Sequence, residues 1–261
     1  MSRREMSVAR TFYPAECSEI QRYIDTFTQA LPAQNHKRQA RAVIAPHAGY
    51  VYSGFTANAA YSQVDTKTIK RVVLIGPSHR VYLQGASVAL SETYESPCAS
   101  IKMDLEYSKA LLQKYAVLSS VQTAHTEHST ETQVPFIEHY FGDVQLVEIV
   151  YGDINYTDLA PIIDEILVKE ENFVVISTDL SHFYDVGKAN KLDAICYEGI
   201  KKMDVNFLDK GCEACGMTGV KALIEAAEKR GLKSEVMDYR TSYDASGDAS
   251  SVVGYLSVLI G

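Results

Sequence analysis

Three histidines in this chain each follow a short apolar run. Val72-Val73-Leu74-Ile75 is closed by Gly76-Pro77-Ser78-His79. Val43-Ile44-Ala45 is closed by Pro46-His47, and Phe173-Val174-Val175-Ile176 by Ser177-Thr178-Asp179-Leu180-Ser181-His182. Imidazole is the commonest metal ligand near neutral pH. Strands about 5 Å apart, or about 10 Å with one strand between them, can bring two such rings to one ion. A single loop histidine is more often an ordinary polar residue. Two in matching strand-Pro-His contexts, His47 and His79, make a metal pair as good a reading as two unrelated residues. Asp179 near His182 offers a carboxylate that can orient an imidazole or support it as a general base. The plainer reading, an aspartate capping a turn, carries equal weight.

Cys212 and Cys215 form a C-x-x-C pair ahead of a helical pattern. Such a pair suggests a redox dithiol or half of a zinc site. No second C-x-x-C completes a four-cysteine site, and no strand runs straight into the motif as in a thioredoxin context. A single thiolate ligand is open to either residue, beside the plainer reading of a buried, inert cysteine. Glu127 and His128 could line the same edge as the histidines. Glu131 reads as helix N-terminal chemistry, with Ser129 as the cap and Glu131 facing the helix dipole. His36, His125 and His139 receive no role, and no G-x-G-x-x-G, P-loop or G-x-S-x-G motif is present.

Short apolar runs with no polar face are the pattern of strands buried on both sides in a parallel sheet. Strands are expected at 43–45, 71–75, 85–90, 117–121, 145–151 and 173–177. Ser18 is placed to cap a helix with Ile20, Tyr23, Ile24, Phe27 and Leu31 on one stripe. Residues 32–41 read as a polar linker and 48–54 as a loop with two glycines and two tyrosines. Helices are expected over 55–61, 105–115, near 134–141, and around Leu159, Ile162, Ile163, Ile166 and Leu167. Others follow around Ala189 to Ile200, weakly at 203–211, and from Val220 to Ala227, stopped by Gly231. The chain closes on a hairpin with arms at about 234–243 and 251–260. Alternating strands and helices give an α/β fold, the hairpin makes the sheet mixed, and nothing marks a boundary between domains. In open α/β sheets ligands bind outside the carboxyl ends of the strands, where these histidines stand.

At 261 residues, with 46% hydrophobic and 22% charged, the chain has the totals of an ordinary globular protein. A net charge of -8 without a basic cluster argues against nucleic-acid binding. No apolar stretch approaches the length of a membrane span, and the amino terminus leads into no signal-like apolar region. Five cysteines, an odd number without framework spacing, are expected to be reduced thiols in a cytoplasmic protein.

Four signatures in order resemble the Memo family, whose microbial members are called AmmeMemoRadiSam system protein B. They are Pro46-His47-Ala48-Gly49-Tyr50-Val51-Tyr52-Ser53-Gly54, Gly76-Pro77-Ser78-His79, Glu127-His128-Ser129-Thr130-Glu131 and Ser177-Thr178-Asp179-Leu180-Ser181-His182. The resemblance runs from Phe12-Tyr13-Pro14 to the final hairpin. It implies a single Memo-like domain over 1–261, a mixed sheet flanked by helices like that of the class III extradiol dioxygenases. Those enzymes hold non-haem Fe(II) with two histidines and a glutamate, and Memo-like proteins put a cysteine in place of the carboxylate. Mapped by motif, the metal ligands are His47, His79 and Cys215, with Cys212 an extra that could exchange with Cys215. The pocket histidine and aspartate are His182 and Asp179, the expected catalytic pair. Tyr52 is the pocket tyrosine, with Glu127 and His128 as further ligand-binding residues. Phe12 stands where some members carry a tryptophan linked with peptide binding, which weakens the carry-over of peptide recognition.

A thiolate in place of the carboxylate favours copper, zinc or Fe(II) without choosing sharply among them; iron is the first expectation and copper the second, with zinc compatible. The expected function is redox or oxygen-dependent chemistry on a small or peptidic substrate. The alternative is a non-enzymatic module that binds a phosphorylated or acidic peptide in the same pocket. The family name also implies a functional link to a radical-SAM protein and an AMMECR-type protein.

Overall fold

The computed structural model describes residues 2–33 and 36–261; of the expected 32–41 linker, positions 34 and 35 lie outside them. Four parallel strands form the centre of a nine-stranded mixed sheet, in the order Ala42–Ala45, Asn172–Ser177, Arg71–Pro77, Gln145–Tyr151. Their side chains are buried on both faces because successive residues of a strand point to opposite sides. Val73, Ile75, Val174 and Ile176 pack on one face with helices Tyr156–Val168, Val186–Lys201 and Met217–Glu228. Val72, Leu74, Phe173 and Val175 pack on the other with helices Cys17–Ala30, Tyr50–Tyr61 and Val134–Phe141. Uninterrupted apolar runs are the sequence mark of this two-sided burial.

The closing strand Val252–Ile260 runs antiparallel beside Ala42–Ala45 and carries the hairpin partner Ser234–Thr241 along its other edge. Its start pairs with the short strand His182–Tyr184 through an irregular register, and the intervening Phe183 takes a positive φ of 63°. On the opposite flank Ala86–Val88 pairs antiparallel with Gln145–Tyr151. A separate three-stranded sheet, Arg3–Arg4 with Thr93–Glu95 and Ser100–Lys102, has no counterpart in the expected elements.

Several local expectations need correction. Glu16, not Ser18, precedes the first helix, which begins at Cys17. The segment 48–54 is not a loop throughout, since a helix starts at Tyr50. Gly54 is used inside it for close approach, as a β-carbon there would lie 2.7 Å from the Phe27 ring. Between 122 and 131 the chain forms a 3-10 turn, Gln122–Thr126, and the short helix His128–Glu131, capped by Glu127 rather than Ser129. Glu131 lies in the first turn of that helix as expected, but its carboxylate is engaged elsewhere in the fold. It is fully buried, pairs with Arg4 at 2.8 Å and accepts hydrogen bonds from the Ser7 and Val8 amides and the Tyr13 hydroxyl. His125, given no role from sequence, is buried with its Nδ1 2.8 Å from Glu148.

The expectation of five reduced cysteines is also overturned. Cys17 is bonded to Cys98 and Cys196 to Cys212, and Cys215 alone is free. Parity and spacing along the chain carried no sign of this, because folding brings together partners 81 residues apart in the first case. The second pairing removes Cys212 as an alternative metal ligand. Among the described residues no helix is long and apolar enough to cross a membrane.

Candidate metal centre

The strand Asn172–Ser177 lies between Ala42–Ala45 and Arg71–Pro77. His47 and His79 therefore leave strands separated by one intervening strand, at the carboxyl edge of the sheet. Their rings stand 5.2 Å apart between centroids, edge to face. His47 is held from two sides. The Asp179 Oδ1 accepts its backbone N–H at 2.8 Å, and its Nδ1 lies 2.9 Å from the Ser177 hydroxyl. His79 is clamped by one carboxylate: Glu127 accepts its backbone N–H at 2.7 Å and its ring Nδ1–H at 3.0 Å. A carboxylate can only accept, so His79 carries its proton on Nδ1 and turns the Nε2 lone pair outward.

Cys215 arrives from far along the chain. The segment that carries it is stitched to the end of the central strand: the Cys215 N–H donates to the Asp179 carbonyl, the Gly216 N–H to Thr178 Oγ1, and the Asp179 N–H to Cys215 Sγ. Only glycine permits that approach, since a β-carbon at Gly216 would lie 2.6 Å from the Thr178 Cβ. Sγ thereby comes 3.4 Å from His47 Nε2. One ligand atom from each of His47, His79 and Cys215 lies within 4.8 Å of the others. Ligand atoms about 2.0–2.3 Å from a shared ion stand roughly 3–4 Å from one another, so the three donors fit a metal ion with a small inward adjustment. A second group, His79, Glu127 and His128, meets the same distance condition. It is the poorer ligand set, because Glu127 already accepts from the His79 ring and from the His79, His128 and Ser129 amides.

The ionisation states agree with this choice. Burial, helped by the neighbouring His79 and His128, pushes the His47 imidazole well below its ordinary range. It is neutral near pH 7 and its lone pair is free for a metal. Burial and the nearby Asp179 push the Cys215 thiol up to about 12, so without an ion it keeps its proton. Burial opposes ionisation of Glu127, but hydrogen bonds from His128 and His79 outweigh it and hold that carboxyl well below the usual carboxylate range. Burial raises Asp179, against the hydrogen bond it accepts from His47.

The other expected residues are placed less tightly. His128 packs on the ring of His79 at 4.5 Å and on Phe12 at 4.8 Å, so it belongs to the site wall. His182 sits half-buried on the short strand beside Val253, within electrostatic reach of Asp179 and His47. Tyr52 is exposed on the first turn of its helix. It lines a hollow of about 380 Å³ with Ala48, Ser242, Ser251, Val253 and Tyr255. A larger hollow of about 530 Å³, at Gln84, Ala116 and Asp158, contains none of the site residues. The sequence reading missed Ser177 and Gln133 behind His47, and the buried Arg4–Glu131 pair behind Glu127. The first two lay inside or next to quoted motifs, so a signal existed; Arg4 gave none.

A family model described as Memo-like protein matches residues 4–259. A MEMO1 family protein of Aquifex aeolicus is 32% identical, over 98% of both chains, and one of Methanosarcina acetivorans is 31% identical over the full length of both. The fold is similar to that in the crystal structure of an uncharacterized protein from Escherichia coli K12, with a TM-score of 0.59 over 84% of this chain and 99% of that one. Identity there is 13%, so the likeness speaks for the fold alone. The family match spans nearly the whole chain, and the relatives exceed 30% identity along their length: the chain belongs to the Memo family.

Proposed function

We propose that this chain binds one divalent ion through His47, His79 and Cys215 and carries out redox or oxygen-dependent chemistry on a small or peptidic substrate. The observation that carries the reading is the convergence of three donor atoms within 4.8 Å while Glu127 and Ser177 engage the Nδ1 atoms of the two rings. Iron is the first choice and copper the second, with zinc compatible, because a thiolate and two imidazoles suit all three. Bound there, such an ion supplies open coordination positions for oxygen or a substrate donor.

The chain's own groups do the rest. Glu127 holds His79 in one tautomer. Asp179 fixes the His47 backbone and accompanies His182, which we assign as the acid/base group. Tyr52 and the hollow beside it, with the ring of His128, would orient the substrate. The competing reading, a module for phosphorylated or acidic peptides, finds no arginine among these site residues, the side chain best suited to bidentate phosphate recognition. A cytoplasmic setting and the link to a radical-SAM and an AMMECR-type protein belong to the same proposal.

The test is metal analysis of anaerobically purified protein, followed by oxygen consumption with candidate substrates. About one ion per chain is expected, with sharp loss in His47→Ala, His79→Ala and Cys215→Ala and no loss of fold. His182→Ala should keep the ion and lower turnover by about 10²–10⁴-fold. Full metal content in Cys215→Ala would sink the triad.

A further inference from the structure

We infer that Gln133 and Ser177 form a hydrogen-bond relay that fixes His47 as its Nδ1–H tautomer and so presents the Nε2 lone pair to the ion. This rests on the reading of His47 as a metal ligand. The direction of the relay follows from two backbone carbonyls, which can only accept. Gln133 Nε2 lies 2.8 Å from the Pro46 carbonyl and 2.9 Å from Ser177 Oγ, and Tyr61 donates its hydroxyl to Gln133 Oε1 at 3.0 Å. Turning the amide over would set Oε1 against the Pro46 oxygen, two acceptors face to face. Its orientation is therefore settled by its partners.

Ser177 has one hydroxyl hydrogen, and it goes to the Ser129 carbonyl at 2.5 Å. The Ser177 oxygen then has only lone pairs to offer. One receives Gln133 Nε2–H. The other faces His47 Nδ1 at 2.9 Å, so the imidazole must donate there. With the proton on Nδ1, Nε2 is an acceptor pointed at Cys215 Sγ, 3.4 Å away. Ser177, Ser129, Gln133 and Tyr61 are fully buried and His47 is 2% exposed, so bulk solvent does not offer a competing partner.

Ser177 and Gln133 are thus positioning residues, and the two metal histidines are set by different means. His79 leans on an anion, Glu127, through its Nδ1 at 3.0 Å. His47 leans on a neutral hydroxyl whose lone pairs are already shared, which orients the ring without adding charge. The relay also links the ends of two central strands, through Pro46 and Ser177, to the short helix that carries Ser129. Misplacing any of them turns His47.

The experiment reads the tautomer directly. Metal-free protein with 15N-labelled histidine rings, held near pH 8, is examined by long-range 1H–15N correlation, His47 being assigned with His47→Gln. The expected pattern for His47 is Nδ1–H. Ser177→Ala should move it toward Nε2–H or a mixture and weaken Co(II) binding by about 10–100-fold. Ser177→Thr, which keeps the hydroxyl, should restore both. An Nε2–H pattern in the unmodified protein overturns the relay without needing any variant, as does an Nδ1–H pattern that persists unchanged in a folded Ser177→Ala protein. Co(II) titration of the unmodified protein separates the two readings. Nδ1–H with no cobalt bound keeps the relay and removes the metal assignment. Cobalt bound with Nε2–H in the metal-free state keeps the metal and removes the relay.

Discussion

In the proposed metal centre, Cys215 is the ligand whose ionisation metal binding would have to change. Buried and close to Asp179, its thiol is pushed up to about 12, and its Sγ accepts the Asp179 amide N–H while facing the His47 lone pair. A metal ion must displace that thiol proton, so binding and deprotonation are coupled. The sign follows from the direction of the shift. Below about pH 12 the metal-free thiol holds its proton, hence affinity rises with pH across the neutral range, by about one logarithmic unit per pH unit for one proton released. His47 adds no competing proton near pH 7, because its imidazole is held neutral by burial. Calorimetric titration with zinc in two buffers of different ionisation enthalpy should report close to one proton per ion. Binding that releases none would show that Cys215 does not ligate as a thiolate.

At the scale of elements, the site is a meeting of strand ends and one distant segment, and that decides what was legible. The strand-Pro-His exits of His47 and His79 could be read because two-sided burial writes uninterrupted apolar runs, and a run's end locates a sheet's edge. The path of Cys215 to that edge could not. Its approach depends on Gly216 lying against Thr178, where a β-carbon would stand 2.6 Å from Cβ and 2.7 Å from the Ser177 carbonyl. Contacts of that kind leave no periodicity, and only the family resemblance selected Cys215. Glu131 is the converse case. It follows a capping residue and so reads as a helix end, yet the tertiary fold makes it the buried partner of Arg4 from the small sheet. Gly216→Ala tests the stitched segment. The added methyl should cost about 1–3 kcal/mol of stability and weaken cobalt binding at least tenfold while the helix Met217–Glu228 stays formed. Unfolding by urea and cobalt titration measure the two effects. Unchanged cobalt affinity would mean that Cys215 reaches the ion by its own flexibility rather than by this anchorage.

Across the whole molecule, two disulfides tie remote parts of the chain to the site's scaffold, where five free thiols were expected. Cys17–Cys98 joins the start of the first long helix to the small sheet and spans 81 residues; Cys196–Cys212 spans 16 and holds the segment that delivers Cys215. In the chain-entropy account, closing loops of these lengths stabilises by about 4–5 and about 3 kcal/mol respectively. A reducing cytoplasm would tend to open both, so the thiol count also bears on where the protein works. Freshly purified protein, denatured without reductant, should titrate about one thiol, and all five after reduction. Reduction should lower the urea midpoint in steps. A Cys17→Ala/Cys98→Ala protein should lose stability with cobalt affinity intact, because that bond lies away from the Cys215 segment. A Cys196→Ala/Cys212→Ala protein should lose both, since the chain before Cys215 gains freedom that binding must then remove. Five titratable thiols in the unreduced protein would instead fit the proposed cytoplasmic setting without disulfides and leave the Cys215 anchorage to the hydrogen bonds of Thr178 and Asp179 alone.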